Sequence, residues 1–315
     1  MTEEEYLLET ENLTKEFGDL IAVKDLNLSI KREEIFGFLG PNGAGKTTAI
    51  RMLVGLLEPT KGSVKFFGKE MFDSQEGLGI CPQDLVIWGE LTCEENLWFM
   101  GKMYDVSESI LEDRVTGLLR RLNLYEKRNS LASSLSGGMK RKLNMGMGLV
   151  HDPEVVVLDE PSAGLDPQSR FSLWEYIEEL RAEKGSTIIL TTHLMEEADR
   201  LSDRVGIMDH GEMLVVDEPE NLKRSVGEGD SISVELRDSS RNAEGLETLK
   251  GMEGTIEARQ VEKKLVVRAL DGVSRVPDYA DNLKEEGFEI SDISVRRTNT
   301  LEDVFIHLTG RELKP

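Results

Sequence analysis

The stretch Gly40-Pro41-Asn42-Gly43-Ala44-Gly45-Lys46-Thr47-Thr48 fits the pattern G-x-x-x-x-G-K-S/T. An apolar run, Ile35–Leu39, precedes it and reads as a strand; a helix-like run, Ala49–Leu57, follows. Glycines let backbone N–H groups turn inward around phosphate oxygens without side-chain clash. The N-terminus of the following helix adds positive potential. Lys46 suits the β- and γ-phosphates of a nucleotide, and Thr47 suits Mg²⁺. By itself the loop implies ATP or GTP and does not choose between them.

Outward from this loop, short runs rich in β-branched residues alternate with helix-like segments over the first 220 residues or so. Val155–Leu158, Thr187–Thr191 and Arg204–Met208 read as strands, and Val155–Leu158, short and continuously apolar, as a buried parallel one. The first of these runs into Asp159-Glu160-Pro161. A hydrophobic strand ending in two carboxylates suits Mg²⁺ at Asp159 and a water-orienting base at Glu160. The other reading is an acidic strand end facing solvent, which the P-loop upstream counts against.

A third element is Leu135-Ser136-Gly137-Gly138-Met139-Lys140-Arg141-Lys142-Leu143. Ser136 suits an N-cap, and Gly137 and Gly138 expose backbone donors. Two readings stand: a second anion site, or an ordinary capped helix with a solvated basic face over Lys140–Lys142. Local physics does not choose between them.

Composition sets limits. The chain has 315 residues, enough for two domains, and 38 basic against 60 acidic side chains, a net charge of −22. That balance argues against a chain that coats nucleic acid, so no nucleic-acid partner is expected. Cys81 and Cys93 have no metal spacing and are expected as free thiols. The acidic start MTEEEYLLETEN is unlike a signal peptide, and no run approaches the roughly 20 apolar residues that span a bilayer.

A seam is expected near Pro219–Asp230, where SVGEGD reads as a linker. Beyond it come a strand at Ser231–Leu236, a helix at Arg241–Leu249, a hairpin of Thr255–Arg259 with Lys264–Ala269, a helix at Val276–Glu286 and a strand at Phe288–Val295. The order βαββαβ predicts a small α+β, ferredoxin-like module. A last helix, Thr300–Leu308, is expected to be capped by Thr300 with Asp303 three residues on.

The P-loop, then Leu135-Ser136-Gly137-Gly138, then the Asp159-Glu160 strand together resemble the ATP-binding subunit of an ABC transporter, over residues 5–220 or so. The resemblance implies a P-loop α/β cassette at 1–222 with a helical subdomain at about 84–150, and an accessory or regulatory domain at 223–315. It extends to further residues. Gln83 in Cys81-Pro82-Gln83 is similar to the family's Q-loop, a sensor of Mg²⁺ and of the membrane partner. Ser162-Ala163-Gly164-Leu165-Asp166 is similar to its D-loop, and His193 after Thr191-Thr192 to its switch histidine. Phe17 resembles the aromatic that stacks on adenine.

By the same resemblance, two copies would sandwich two ATP molecules. Each would lie on Gly40–Thr48 of one copy and under Ser136, Gly137 and Gly138 of the other, with Asp166 linking the sites. Met139 stands where many members carry Gln, and Ser162 where Thr is common. Lys46, Thr47, Asp159, Glu160 and His193 are all present, so the resemblance implies active hydrolysis of ATP with Mg²⁺.

The variant Ser-Gly-Gly-Met-Lys-Arg-Lys-Leu, with the tail Asn299-Thr300-Leu301-Glu302-Asp303-Val304-Phe305, is similar to the daunorubicin-resistance branch of type-2 exporters. The tail also reads as an amphipathic packing helix. The branch implies a separate integral membrane permease that binds a small-molecule or lipid substrate. The chain would then be cytoplasmic and peripheral on the inner face of the cell membrane. An importer ATPase and a non-transport ABC ATPase are the alternatives. Leu85, Val86, Ile87, Trp88 and Leu91 follow Gln83, ahead of a Thr92–Glu95 capping box that opens a helix at Glu94–Tyr104. They suit either a groove for the permease or the core of the helical subdomain.

Overall fold

A computed structural model describes residues 6–70, 77–226, 229–270, 272–296 and 300–311. Asn299 of the tail and Gly227-Glu228 of the linker lie outside the described residues. The chain divides into two compact units, residues 1–216 and 217–315.

The first unit holds two sheets. In one, β1 (Tyr6–Phe17), β2 (Leu20–Lys31), β4 (Lys61–Phe66) and β5 (Lys69–Glu70) lie in the order β2-β1-β4-β5 with antiparallel neighbours. The other has the order β10-β9-β3-β8-β7-β6. Its members are β3 (Ile35–Leu39), β6 (Leu78–Cys81), β7 (Val155–Asp159), β8 (Thr187–Thr192), β9 (Arg204–Asp209) and β10 (Glu212–Asp217). The pairs β6–β7, β7–β8, β8–β3 and β3–β9 are parallel. Every residue of β3, β7 and β8 is buried, as expected for parallel strands covered on both faces.

One core lies among the antiparallel strands, one face of the parallel sheet and α1 (Lys46–Leu53). The helix begins at Lys46, three residues before the sequence reading, and stops four residues short of Leu57. Gly45 at φ +101 turns the loop straight into helical geometry, so Lys46, Thr47 and Thr48 form the first turn. Gly55 at φ +70 follows its end.

A second core joins the parallel sheet to α2 (Cys93–Met103), α3 (Glu108–Arg121), α4 (Gly137–Leu149) and α5 (Pro167–Lys184). Thr92 and Glu95 form the capping box of α2. Fully buried Asn96 donates to the carbonyls of Trp88, Leu91 and Thr92 and accepts from Trp88 N–H, which shapes the loop before the helix. At its far end α4 meets β6 without side chains between them. A Cβ on Gly148 would lie 2.8 Å from Ile80 O and 2.6 Å from Cys81 Sγ, and one on Gly79 would lie 2.4 Å from Gly148 O. Both cysteines are buried free thiols, and burial pushes Cys81 up to about 12. The short α6 (Met195–Leu201) follows β8.

The second unit opens with α7 (Pro219–Ser225). It continues through β11 (Asp230–Leu236), α8 (Asn242–Lys250), β12 (Thr255–Val261), β13 (Lys264–Ala269), α9 (Gly272–Glu285), β14 (Ile290–Arg296) and α10 (Leu301–Thr309). The sheet order is β12-β13-β11-β14, all antiparallel. Alternate residues Ile232, Val234, Leu265 and Val267 face its core with Tyr279 and Leu283. Thr300 and Asp303 form a capping box at α10, which packs on α7.

The contact of α4 with β6 leaves no room for a branched side chain. Gly148→Val is expected to cost about 1–3 kcal/mol through overpacking, read as a lowered denaturation midpoint with an unchanged slope.

Candidate functional site

The site lies at the carboxyl ends of β3, β7 and β8, where open parallel sheets bind ligands. A cleft of about 510 Å³ opens there, lined by Asn42, Gly43, Gly45, Lys46, Thr47 and Thr48 of the P-loop, with Phe17, Gln83 and Glu160. Gly40, Pro41 and Ala44 form the back of the loop. Lys46 is buried, and its ammonium donates to Gly40 O at 2.7 Å and Pro41 O at 3.0 Å. Glu160 Oε1 lies 3.6 Å from the same nitrogen. Burial lowers the Lys46 pKa, and the charges of Glu160 and Asp159 oppose that shift.

The register Asp159↔Thr191 places the last residue of β7 beside β8. Asp159 Oδ1 accepts from Thr191 Oγ1 at 2.5 Å and from Thr47 Oγ1 at 3.1 Å. Next to it, Glu160 is buried and lies in the left-handed region at φ +48, which costs roughly 1–2 kcal/mol for a residue with a Cβ. The turn aims its side chain back into the cleft. Glu160 Oε2 accepts from Gln83 Nε2 at 3.3 Å, and His193 Nδ1 is 3.3 Å from the same oxygen. Lys46, Gln83 and His193, from three separate segments, thus meet one carboxylate.

Phe17 is 49% exposed at the rim, available to a flat ring. Ser136, Gly137 and Gly138 do not line this cleft. Ser136 caps α4 by accepting from Met139 N at 3.3 Å, and a Cβ on Gly138 would meet Leu165 and Ser169 at ordinary contact distance. Asp166 is likewise outside the cleft and caps α5, accepting from Ser169 N and Oγ. These hydrogen bonds from Ser169 hold its carboxyl below the ordinary range.

Several groups around the cleft were not legible in sequence. Leu20, Ile21 and Ala22 of β2, and His210 and Gly211 in the β9–β10 turn, complete the lining. Gly211 N donates to Ala44 O at 3.0 Å and pins the P-loop. A turn is visible in Asp209-His210-Gly211, but not which loop it meets. Glu197 of α6 is almost fully buried and accepts from Ser162 Oγ, and from Trp174 Nε1 at 2.8 Å. Burial pushes its carboxyl up, against the hydrogen bonds of Ser162, Thr192 and Trp174. It ties the segment after Glu160 to the helix after His193. The reading of Lys140–Lys142 as a solvated basic face is corrected at Arg141, which is only 7% exposed and turned under the site.

A phosphate loop and an acidic strand end at one edge of a parallel sheet place the chain among the P-loop NTPases. Comparison narrows that class. The family model described as ABC transporter matches residues 23–163. A Nod factor export ATP-binding protein of Cupriavidus pinatubonensis is 35% identical over 98% of this chain and 92% of its own length. A daunorubicin resistance ATP-binding protein of Streptomyces coeruleorubidus is 36% identical over 94% of this chain and 93% of its own. A solved structure of the ATP-binding subunit of an ABC transporter superposes with a TM-score of 0.64 and 31% identity, covering 70% of this chain and 92% of that one. The chain belongs to the ATP-hydrolysing, ATP-binding subunits of ABC transporters.

Removing the Lys46 ammonium takes away a charge-assisted donor worth roughly 1.5–3 kcal/mol. Lys46→Ala is therefore expected to weaken ATP binding by about tenfold to a hundredfold in a fluorescent-nucleotide titration.

Proposed function

We propose that this chain drives export of a small molecule or lipid through a separate integral membrane permease. Hydrolysis at Glu160 would be coupled to closure and reopening of a pair of copies. The observation that carries this reading is the convergence of Lys46, Gln83 and His193 on the Glu160 carboxylate. Such a carboxylate would orient a water for attack on a terminal phosphate, and Lys46 would offset charge on the phosphates. His193 would sense that phosphate.

Mg²⁺ fits the donor set. Thr47 Oγ1 and Asp159 Oδ1 are a hydroxyl and a carboxylate side by side, the sparse oxygen set that Mg²⁺ takes when phosphates and water complete its shell. Gln83 would add a further oxygen. When bound, the ion would neutralise phosphate charge.

The pairing of two copies is supported by what the cleft lacks. Ser136, Gly137 and Gly138 present a capped helix N-terminus but stand outside the cleft of their own chain. A second copy would bring them over the nucleotide, with Asp166 at the junction. Export is supported by the relatives, one a Nod factor export protein and one a daunorubicin resistance protein. Among the described residues no helix is long and apolar enough to cross a membrane, which is consistent with a permease on another chain and a place on the inner face of the membrane. The second unit lies outside residues 23–163 and is read as an accessory, regulatory module.

The permease would dock beside Gln83. Leu85, Val86 and Trp88 are exposed, with Trp88 edge-on to exposed Phe99 at 4.4 Å. An exposed apolar cluster next to a nucleotide sensor supports a docking groove over a core role.

Glu160→Gln keeps shape and removes the base. It is expected to cut steady-state hydrolysis roughly a hundredfold or more while ATP still binds and holds two copies together. Near-normal turnover would remove the assignment of the base. Trp88→Glu should abolish co-purification with the permease and leave hydrolysis by the isolated subunit unchanged; loss of folding would return Trp88 to the core.

A further inference from the structure

Arg141 lies in α4, five residues after Ser136, and is 7% exposed. Among the described residues its guanidinium hydrogen-bonds to no carboxylate side chain. It is satisfied by main-chain carbonyls instead. Nε donates to Pro161 O at 3.1 Å, Nη1 to Pro82 O at 3.2 Å and Gln83 O at 2.5 Å, and Nη2 to Asp159 O at 3.0 Å and to Glu160 O. One side chain therefore grips both segments that supply Gln83 and Glu160. Five acceptors at one planar fork suit arginine and no other residue, since lysine offers three donors from a single point.

The grip falls where the backbone needs it. Glu160 sits at φ +48, a conformation that an L-residue leaves unless its surroundings hold it. Its N–H is held by Thr191, through Oγ1 at 2.9 Å and the carbonyl at 3.2 Å. Its C=O accepts from Arg141 and from Ala163 N at 3.1 Å. The peptide groups on both sides of the strained residue are thus tethered, one to β8 and one to α4. Gln83 is held through its carbonyl by the same guanidinium, while its side chain reaches Glu160 Oε2. At the other end, α4 is seated on β6 by the Gly79–Gly148 contact, so the helix cannot slide to follow a shorter side chain.

We propose that Arg141 is a positioning residue for hydrolysis: it holds Glu160 in its left-handed conformation and sets the Gln83 segment against it. The inference rests on the reading of Glu160 as the base. Because Arg141 rides on the helix that Ser136 caps, it also makes that helix and the Glu160 turn one mechanical piece.

The test is Arg141→Lys in the full chain, with kcat normalised to the nucleotide-binding sites counted by titration. Counting sites separates positioning from partial unfolding, which would lower the number of sites rather than the rate per site. The expected result is a fall in kcat per site of about thirtyfold or more, with ATP affinity within about threefold of wild type. Arg141→Gln should be slower still. A rate per site within about threefold of wild type, or affinity lost in proportion to rate, overturns the proposal. If R141K does not fold, R141Q is judged by the same criteria; failure of both to fold assigns Arg141 to stability alone and also overturns it. Glu160→Gln, measured in parallel, separates the two levels. Normal turnover in E160Q removes the base and this inference with it, whereas an inactive E160Q beside an active R141K removes the role of Arg141 alone.

Discussion

The parallel register of β7, β8 and β3 sets the height of every group in the cleft. Asp159 pairs with Thr191, and Leu39 with Thr192, so three strands end at one level. The P-loop leaves from the end of β3, the acidic pair from β7 and His193 from just past β8. No loop has to reach far, and short connections keep the distances tight. A one-residue slip of β7 would move Asp159 off Thr191 and Thr47 together and turn its alternate side chains to the wrong face.

That convergence brings charges out of water, and each buried one is met differently. Lys46 rests on two P-loop carbonyls beside Glu160. Arg141 is surrounded by carbonyl oxygens, and Glu197 by a serine hydroxyl and an indole N–H. Unpaired, such groups would destabilise the fold by several kcal/mol each. Held this way they are satisfied hydrogen-bonding groups rather than unpaired charges. The left-handed turn at Glu160 is retained beside them, with its N–H and C=O both tethered.

Much of this was legible in sequence because it is local. Gly40–Thr48 declares a phosphate loop, since only glycine tolerates the φ and the close approach at Gly45, whose Cβ would meet Ala22 O at 2.4 Å. A continuous apolar run marks β7 because both its faces are covered. The capping boxes at Thr92 and Thr300 are four-residue statements and appear as read. The start of α1 was misplaced because the loop itself supplies the first turn, which hydrophobic periodicity does not register.

The sequence by itself determined the class of chemistry, through the P-loop and the strand ending in Asp159-Glu160, because those depend on neighbours along the chain. The tertiary structure decided what surrounds them. A basic triplet at 140–142 looks solvated from spacing alone, yet Arg141 points under the site; Glu197 carried no local signal, and the turn at His210 and Gly211 did not say which loop it meets. Each of these is defined by a partner many residues away, and no residue pattern shorter than the fold encodes which carbonyl a buried guanidinium will meet. The P-loop thus announced a phosphate site, and the packing of α4 and β8 around Glu160 decided how the groups that line the cleft are held.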